Sequence, residues 1–298
     1  MHSLKSFSRE AIRRAISAEF PRIEVHSLRL LDGGLNHAIA EVNGEIILRF
    51  PRGDKARFET EIRVLECLKG RTSLAIPQVE FKGGTVACVG YRKIPGRHVT
   101  EEIVRALDEG RRSQLVCDLA AFLFEVHSAV SVEKASGLGV EREDLPSYAS
   151  YVEKNVLAKV VPADIAEFAR ATLAEYDSVV RGGVEEVFLY NDLHGDNMAF
   201  DASTGRLNGV FDFADVMIGD VNLDFHPLFR LDPLLMKAVA EEYARLSGRL
   251  LSLRRMVIYA FVNELCDLGS FMDRPRSAAC RTTTKRISKR RRDFHIFA

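Results

Sequence analysis

Residues 187–213 read V-F-L-Y-N-D-L-H-G-D-N-M-A-F-D-A-S-T-G-R-L-N-G-V-F-D-F, and the reading of this stretch decides the fold. Val187–Leu189 is an apolar run of strand type that enters a polar loop. Met198–Phe200 reads as a short strand, Asp201–Gly205 as a turn, and Leu207–Phe213 as the returning strand. Such a hairpin carries Asp192 and Asn197, which precede its first strand, close to Asp212 at the end of its second. Acids continue beyond it. Phe211–Asp224 holds Asp212, Asp215, Asp220 and Asp224 with no Lys or Arg, set among Phe211, Phe213, Val216, Ile218, Leu223 and Phe225. Carboxylates amid that much apolar surface are partly buried, and buried charge needs a partner. The oxygen cluster suits Mg²⁺, a hard ion that takes one or two protein carboxylates and fills its other positions with phosphate and water.

Working outward toward the N-terminus, the chain reads as strands. His26–Leu31 is apolar-rich, Asp32-Gly33-Gly34 is a turn signal, and Ala38–Val42 leads to Asn43-Gly44, a strong hairpin signal, before Ile46–Phe50. Phe58, Ile62, Leu65 and Leu68 recur at helical spacing and Gly70 ends that helix. Val79–Phe81 and Val86–Val89 read as strands around Gly83-Gly84. Pro95-Gly96 breaks the pattern, and beyond it Leu115, Leu119, Phe122 and Val126, then Ile165, Phe168, Tyr176 and Val180, form helical stripes. The expectation is an α+β, two-lobed chain. Residues 1–96 form a small antiparallel-sheet lobe with one helix, 97–280 a larger, mainly helical lobe, and 281–298 a basic tail.

Composition narrows the function. The 298 residues are 47% apolar, enough for a buried core, and 42 Lys+Arg balance 42 Asp+Glu. A net charge of zero speaks against a chain held to nucleic acid by overall charge. No apolar run approaches the roughly 18 residues of a membrane span. The start of the chain carries no apolar signal core, and five scattered cysteines form no Cys-x-x-Cys pair, so a cytoplasmic compartment with reduced thiols is expected.

The motifs resemble a known family. Asp192-Leu193-x-x-x-Asn197 matches the D-L-x-x-x-N core of the protein-kinase catalytic loop, and Asp212-Phe213-Ala214 sits where D-F-G would be. More closely, Y-N-D-L-H-G-D-N, V-F-D-F-A-D and G-D-x-x-x-D, with D-G-G-L-N-H-A-I-A-E-V-N-G-E-I-I-L-R-F-P-R and V-G-Y-R-K-I-P-G upstream, resemble the aminoglycoside phosphotransferase family over about residues 25–270. Its 2″-phosphotransferase branch is the nearest in look. The resemblance implies a protein-kinase-like fold and transfer of the γ-phosphate of ATP or GTP, with Mg²⁺, to a small-molecule hydroxyl. An aminoglycoside is the first acceptor it suggests; a macrolide, an amino alcohol or a metabolite are rivals.

The roles implied follow phosphoryl-transfer mechanics, in which positioning and charge neutralisation do most of the catalysis. Asp192 would accept or orient the proton of the attacking hydroxyl, and Asn197 and Asp212 would hold Mg²⁺. Gly33, Gly34 and Asn36 would turn over the phosphates, where absent Cβ atoms let backbone N–H groups approach. Arg49 occupies the place of the phosphate-binding strand lysine, with Glu61 as its helix partner and Glu59 as the nearby rival. Gly90, Tyr91, Arg92 and Lys93 would form the purine-binding hinge. Tyr190 stands where the family usually has His.

Asp224, Glu264 and Asp267 are the residues implied for a cationic acceptor; a solvated helix face is the other reading of the last two. Asp220 is expected to brace the loop, and His127 to be a satisfied core histidine. The seven Lys/Arg of Arg281–Arg292, against Asp293, leave +6 on residues 281–298, read as a solvated terminus and the only hint of nucleic-acid contact. Two further readings stay open. One is a kinase-like nucleotide-binding protein without activity. The other is a metal-dependent phosphoesterase built on His194 and Asp196, with His226 as its only other nearby histidine.

Overall fold

The structure, a computed structural model, describes residues 7–31, 37–159, 161–273 and 277–290. Gly33, Gly34 and Asn36 lie outside the described residues.

The first lobe runs α1 (Arg9–Glu19), β1 (Leu28–Leu31), β2 (His37–Val42), β3 (Ile46–Pro51), α2 (Lys55–Leu68), β4 (Phe81–Lys82) and β5 (Val89–Arg92). The strands form one antiparallel sheet in the order β1-β2-β3-β5-β4. Asn43 and Gly44 take positive φ, 55° and 73°, as a tight Asn-Gly hairpin requires. Strand parity then decides the chemistry, because successive side chains point to opposite faces. Ala38, Ala40, Val42, Ile46, Leu48 and Phe50 pack with Ile12 and Ile16 of α1 on one face. The alternate residues His37, Ile39, Glu41, Ile47 and Arg49 therefore face the other way and line the cleft between the lobes.

The helix α1 is rich in Arg and Glu but carries one apolar seam at helical spacing, Ile12, Ala15 and Ile16. Ser8 caps it by accepting from the Ala11 amide (3.2 Å), and only Ile12, Ala15 and Ile16 are buried. Its last residue, Glu19, accepts from the Gly84, Thr85 and Val86 amides at 2.6–3.2 Å, tying the helix to the β4–β5 turn.

The second lobe holds α3 (Glu101–Ala106), α4 (Glu109–Ala129), α5 (Val132–Leu138), α6 (Leu145–Val152), α7 (Ala163–Arg181), β6 (Glu186–Leu189), β7 (Met198–Asp201), β8 (Arg206–Val210), β9 (Met217–Asp220), α8 (Leu228–Leu231), α9 (Pro233–Ser247), α10 (Leu253–Phe271) and α11 (Ala278–Arg290). The hairpin read from the sequence is β7–β8, and β6 pairs with β9. Met256–Val262 of α10 is buried without a break, so this helix is the core of the lobe. No single helix among the described residues is long and apolar enough to cross a membrane.

Three expectations are corrected. The strands around Gly83-Gly84 lie later in the chain than Val79–Phe81 and Val86–Val89. Residues 281–290 are not a solvated tail: they continue α11, which buries Cys280, Thr283 and Ile287 against α7 and α10. A helix with one apolar seam can dock however basic its other faces are. Asp220 does not brace the loop that follows β6. It accepts from Asn222 N (3.0 Å), Arg255 Nη1 (2.7 Å) and Tyr259 O–H (2.6 Å), and so fixes the buried turn Val221–Phe225.

Candidate active site

Arg49 enters the cleft from β3 and is 3% exposed. It donates through Nη1 to Glu61 of α2, and through Nη2 to Asp212 Oδ1 (2.9 Å) and His37 Nδ1 (2.9 Å). Burial opposes the guanidinium charge, but Glu61 and Asp212 outweigh it and push its pKa up. Burial pushes the Glu61 carboxyl up, with Arg49 pulling against it. Glu61 is thus Arg49's partner. Glu59 is exposed and lies 4.0 Å from Arg63 instead.

Across the cleft, β6 ends and the chain turns sharply. Asn191 has φ +67°, as does Asp212 at the end of the hairpin. Each left-handed side-chain-bearing residue costs about 1–3 kcal/mol, so the surroundings must hold them. Asn197 Nδ2 donates to Asp192 Oδ2 (2.7 Å) and to Asp192 O (3.0 Å). His194 Nε2 lies 3.2 Å from Asp192 Oδ1. Burial alone would lower the His194 pKa; its bond to Asp192 and the charges of Asp192 and Asp196 outweigh burial and raise it. Gly195 is required here, because a Cβ would stand 1.9 Å from the Val99 carbonyl oxygen.

Tyr190 is fully buried, edge-on to Phe122 and Phe213 with centroids 5.6 and 4.9 Å away. Its phenol donates to the Phe211 carbonyl (2.5 Å), linking the loop after β6 to the residue before Asp212. The phenol therefore ties the loop to the strand end. Tyr190→Phe should leave Phe211 O unpaired and cost about 1–3 kcal/mol in denaturant unfolding, with a larger fall in kcat than in nucleotide affinity.

Asp192, Asn197, Asp212 and Arg49 all line one cleft of about 800 Å³ between the lobes. The bonds to Asp212 from Arg49 and from the Ala214 amide both fall on Oδ1. Asn197 uses its amide nitrogen on Asp192, and its side-chain oxygen can only accept or ligate. One carboxylate and one amide oxygen make a donor set suited to a hard cation that keeps phosphate and water ligands. No group of three or more His, Cys, Asp or Glu suited to a metal occurs among the described residues. The two-metal, histidine-ligated phosphoesterase has no support in this geometry. His226 is buried, bonded to Leu223 O (2.5 Å) and Asn263 (3.1 Å), with its pKa pushed down to about 4 by burial.

Strand parity divides the hinge residues, and the acceptor residues are engaged elsewhere. Tyr91 and Lys93 line the cleft; Gly90 and Arg92 do not. Gly90 faces the α1 side, where a Cβ would meet Leu48 at 2.3 Å, so it is a packing glycine. The Lys93 amide is spent on Glu45 O (2.7 Å), and the cleft lining continues into Ile94, Gly96 and Arg97. Asp224 is 0% exposed and touches no open space. It accepts from the Tyr190 amide (2.9 Å), the Asn191 amide and His127 Nε2 (2.7 Å), so it is the brace that Asp220 was expected to be. His127 is the satisfied core histidine expected, its Nδ1 2.7 Å from Tyr243 Oη. Glu264 and Asp267 are neither free nor simply solvated: both are ion-paired to Arg230 and Arg286.

The sequence reading missed His37 and Arg57. Arg57 donates through Nε to Ala214 O (2.7 Å) and through Nη2 to Asp215, clamping α2 to the segment after Asp212. Burial pushes the Asp215 carboxyl up against the pull of Arg57. His37 shares a strand face with Ile39 and Glu41, a parity the alternation of β2 could have revealed.

A model of the phosphotransferase enzyme family, APH, matches residues 27–256. The chain belongs to this family. Among solved structures, this phosphotransferase is similar to the GDP and kanamycin complex of APH(2″)-IIIa, at TM-score 0.83 and 22% identity over 95% of this chain and 98% of that one. It is also similar to the streptomycin–ATP complex of APH(2″)-IIa, at 0.68 and 18% over 95% and 97%. A third similar structure is the macrolide 2′-phosphotransferase of Brachybacterium faecium, at 0.66 and 17% over 93% and 97%. These identities show a shared fold, the two-lobed α+β fold expected from the sequence. As a family member the phosphotransferase is a small-molecule kinase acting on hydroxyl groups.

Proposed function

We propose that this phosphotransferase moves the γ-phosphate of ATP or GTP, with Mg²⁺, to a hydroxyl of a small antibiotic-like molecule, with an aminoglycoside the first acceptor to test. The observation that carries the reading is the convergence of Asp192–Asn197 from the second lobe and Arg49–Glu61 from the first on Asp212 in one cleft. A nucleotide-binding protein without activity would have no need to keep Asp192 held by both Asn197 and His194.

In this reading Asp192 orients the acceptor hydroxyl and takes its proton as the oxygen attacks. Asn197 and Asp212 hold Mg²⁺, which neutralises phosphate charge when bound. Arg49 has both Nη groups engaged, so it holds Asp212 in place and adds positive charge beneath the phosphates. Tyr91 and Lys93 border the base. Solved relatives carrying GDP or ATP with kanamycin or streptomycin support this choice of donor and acceptor. A cytoplasmic setting, where nucleoside triphosphate is supplied, fits the free thiols.

One observation favours a second acceptor. The α10 acids are already neutralised by arginines, which suits a macrolide-like molecule carrying a single amine. The test measures ATP and GTP consumption separately, with kanamycin, a macrolide and an amino alcohol. Acceptor-dependent turnover that vanishes on chelation of Mg²⁺ is expected. Nucleotide binding without turnover on any acceptor, or turnover indifferent to chelation, would overturn the proposal.

A further inference from the structure

His37 begins β2, is 6% exposed and lines the cleft with Arg49, Asp212 and Asp192. Its ring lies against Phe58 of α2, with centroids 5.3 Å apart. Its Nδ1 is 2.9 Å from Arg49 Nη2. A guanidinium has donors and no acceptor, so Nδ1 accepts and the proton of the neutral ring sits on Nε2. Burial, with the charge of Arg49 next, pushes the imidazole pKa down to about 3, so Nδ1 keeps its lone pair at neutral pH.

Arg49 Nη2 carries two hydrogens. One goes to His37 Nδ1 and the other to Asp212 Oδ1, each at 2.9 Å. The guanidinium is planar, so fixing one of these hydrogens fixes the direction of the other. Nη1 is held at Glu61, and Nε is buried without a partner among the described residues. Of the three groups that hold the plane, His37 is the neutral one. Two carboxylates already face one guanidinium in a buried place. An acid at position 37 would add a third negative charge and draw Nη2 away from Asp212. A side chain with no acceptor would leave one Nη2 hydrogen unpaired and the plane free to turn.

We propose that His37 is a positioning residue for the metal-binding carboxylate: by accepting one hydrogen of Arg49 Nη2 it aims the other at Asp212 and holds that carboxylate ready for Mg²⁺. The inference rests on the phosphotransferase reading above. Arg49 and the Ala214 amide both bond Asp212 Oδ1, which leaves Oδ2 for the ion. His37 acts through Arg49 and is not itself a ligand.

The test titrates Mg²⁺ into the full chain with ATP or GTP and reads the concentration at which nucleotide binding is half complete. His37→Phe keeps a ring against Phe58 and removes the acceptor, so this midpoint should rise about tenfold, the scale of one bond to a charged group. His37→Asn puts an amide oxygen near the place of Nδ1 and should restore the wild-type midpoint. In an Arg49→Lys background there is no second nitrogen to aim, and His37→Phe should raise the midpoint no further. Nitrogen NMR of the arginine side chains follows the same bond without metal. The Arg49 Nη2 hydrogens should exchange with solvent faster in His37→Phe than in wild type or His37→Asn. If His37→Phe fails to fold, the isosteric pair decides: His37→Asn near wild type, His37→Asp with a raised midpoint. A midpoint indifferent to His37→Phe, or raised equally in both Arg49 backgrounds, overturns the inference and leaves His37 a packing residue. Nucleotide binding that needs no Mg²⁺ in wild type sinks the phosphotransferase reading and this inference with it. Mg²⁺-dependent binding and turnover with a midpoint blind to His37 sink only the positioning role.

Discussion

Replacing Asp192 by Asn should cut turnover by about 10²–10⁴-fold, the usual contribution of a positioned general base, while nucleotide affinity stays within about threefold. The two outcomes separate because the substitution removes charge and basicity but keeps the oxygen that Asn197 uses. Asn197 Nδ2 also donates to the Asp192 backbone carbonyl at 3.0 Å, so its orientation survives. Arg49, Glu61 and Asp212 do not touch Asp192 among the described bonds, and they remain assembled. A second readout follows from His194, whose pKa is raised by Asp192 against burial. A histidine whose folded pKa is raised contributes stability that is full below its unfolded pKa and is lost as pH rises through the folded value. In Asp192→Asn that contribution disappears, and the His194 titration followed by NMR moves to lower pH. Equal losses of nucleotide affinity and turnover would show that Asp192 serves binding rather than proton transfer.

Arg49→Met is expected to destabilise the chain by about 3–5 kcal/mol, the cost of leaving one partner of a buried ion pair alone. Glu61 is 3% exposed and would keep a carboxylate with no guanidinium beside it. Burial already pushes its pKa up, so it would take a proton in the folded state at higher pH than in wild type. Asp212 would lose the 2.9 Å bond that helps hold it at φ +67°, and Mg²⁺-dependent nucleotide binding should fall with it. Arg49→Lys separates charge from shape. An ammonium is a compact point charge, whereas the guanidinium reaches Glu61, His37 and Asp212 from two different nitrogens. The lysine variant should recover most of the stability and only part of the nucleotide affinity. Denaturant unfolding and nucleotide titration measure the two effects independently. A stable Arg49→Met that still binds Mg·nucleotide would remove Arg49 from the site.

The hairpin that carries Asp192 and Asn197 to Asp212 was legible because its information is local. Asp192, Asn197 and Asp212 are joined by one short hairpin, and β7–β8 turns as the run Asp201–Gly205 suggests. The Asn43-Gly44 hairpin was legible for the same reason. Which hinge residues turn a side chain to the cleft was not legible, because Gly90 and Tyr91 are neighbours in sequence that face opposite sides of a sheet, and which side is the cleft depends on where α1 and α2 pack. Asp224 and Asp220 look alike in the sequence. The brace expected of Asp220 falls to Asp224 because Asp224 is the one that reaches the amides of residues 190 and 191, across a gap of 33 or 34 residues.

By itself, then, the sequence determined the two-lobed α+β pattern, the hairpin that joins Asp192 and Asn197 to Asp212, and the kind of chemistry such oxygens can support. Those follow from spacing, and spacing is a property of the chain alone. Tertiary structure alone decided which charges are free to act. Glu264 and Asp267 read as open acids along α10, and the basic run after Arg281 reads as a tail. Only when α11 docks its apolar seam does Arg286 arrive beside those acids, 22 and 19 residues away in sequence. A charge has no fixed meaning until its neighbours are in place, because the field it feels is set by distance through the fold and not by separation along the chain.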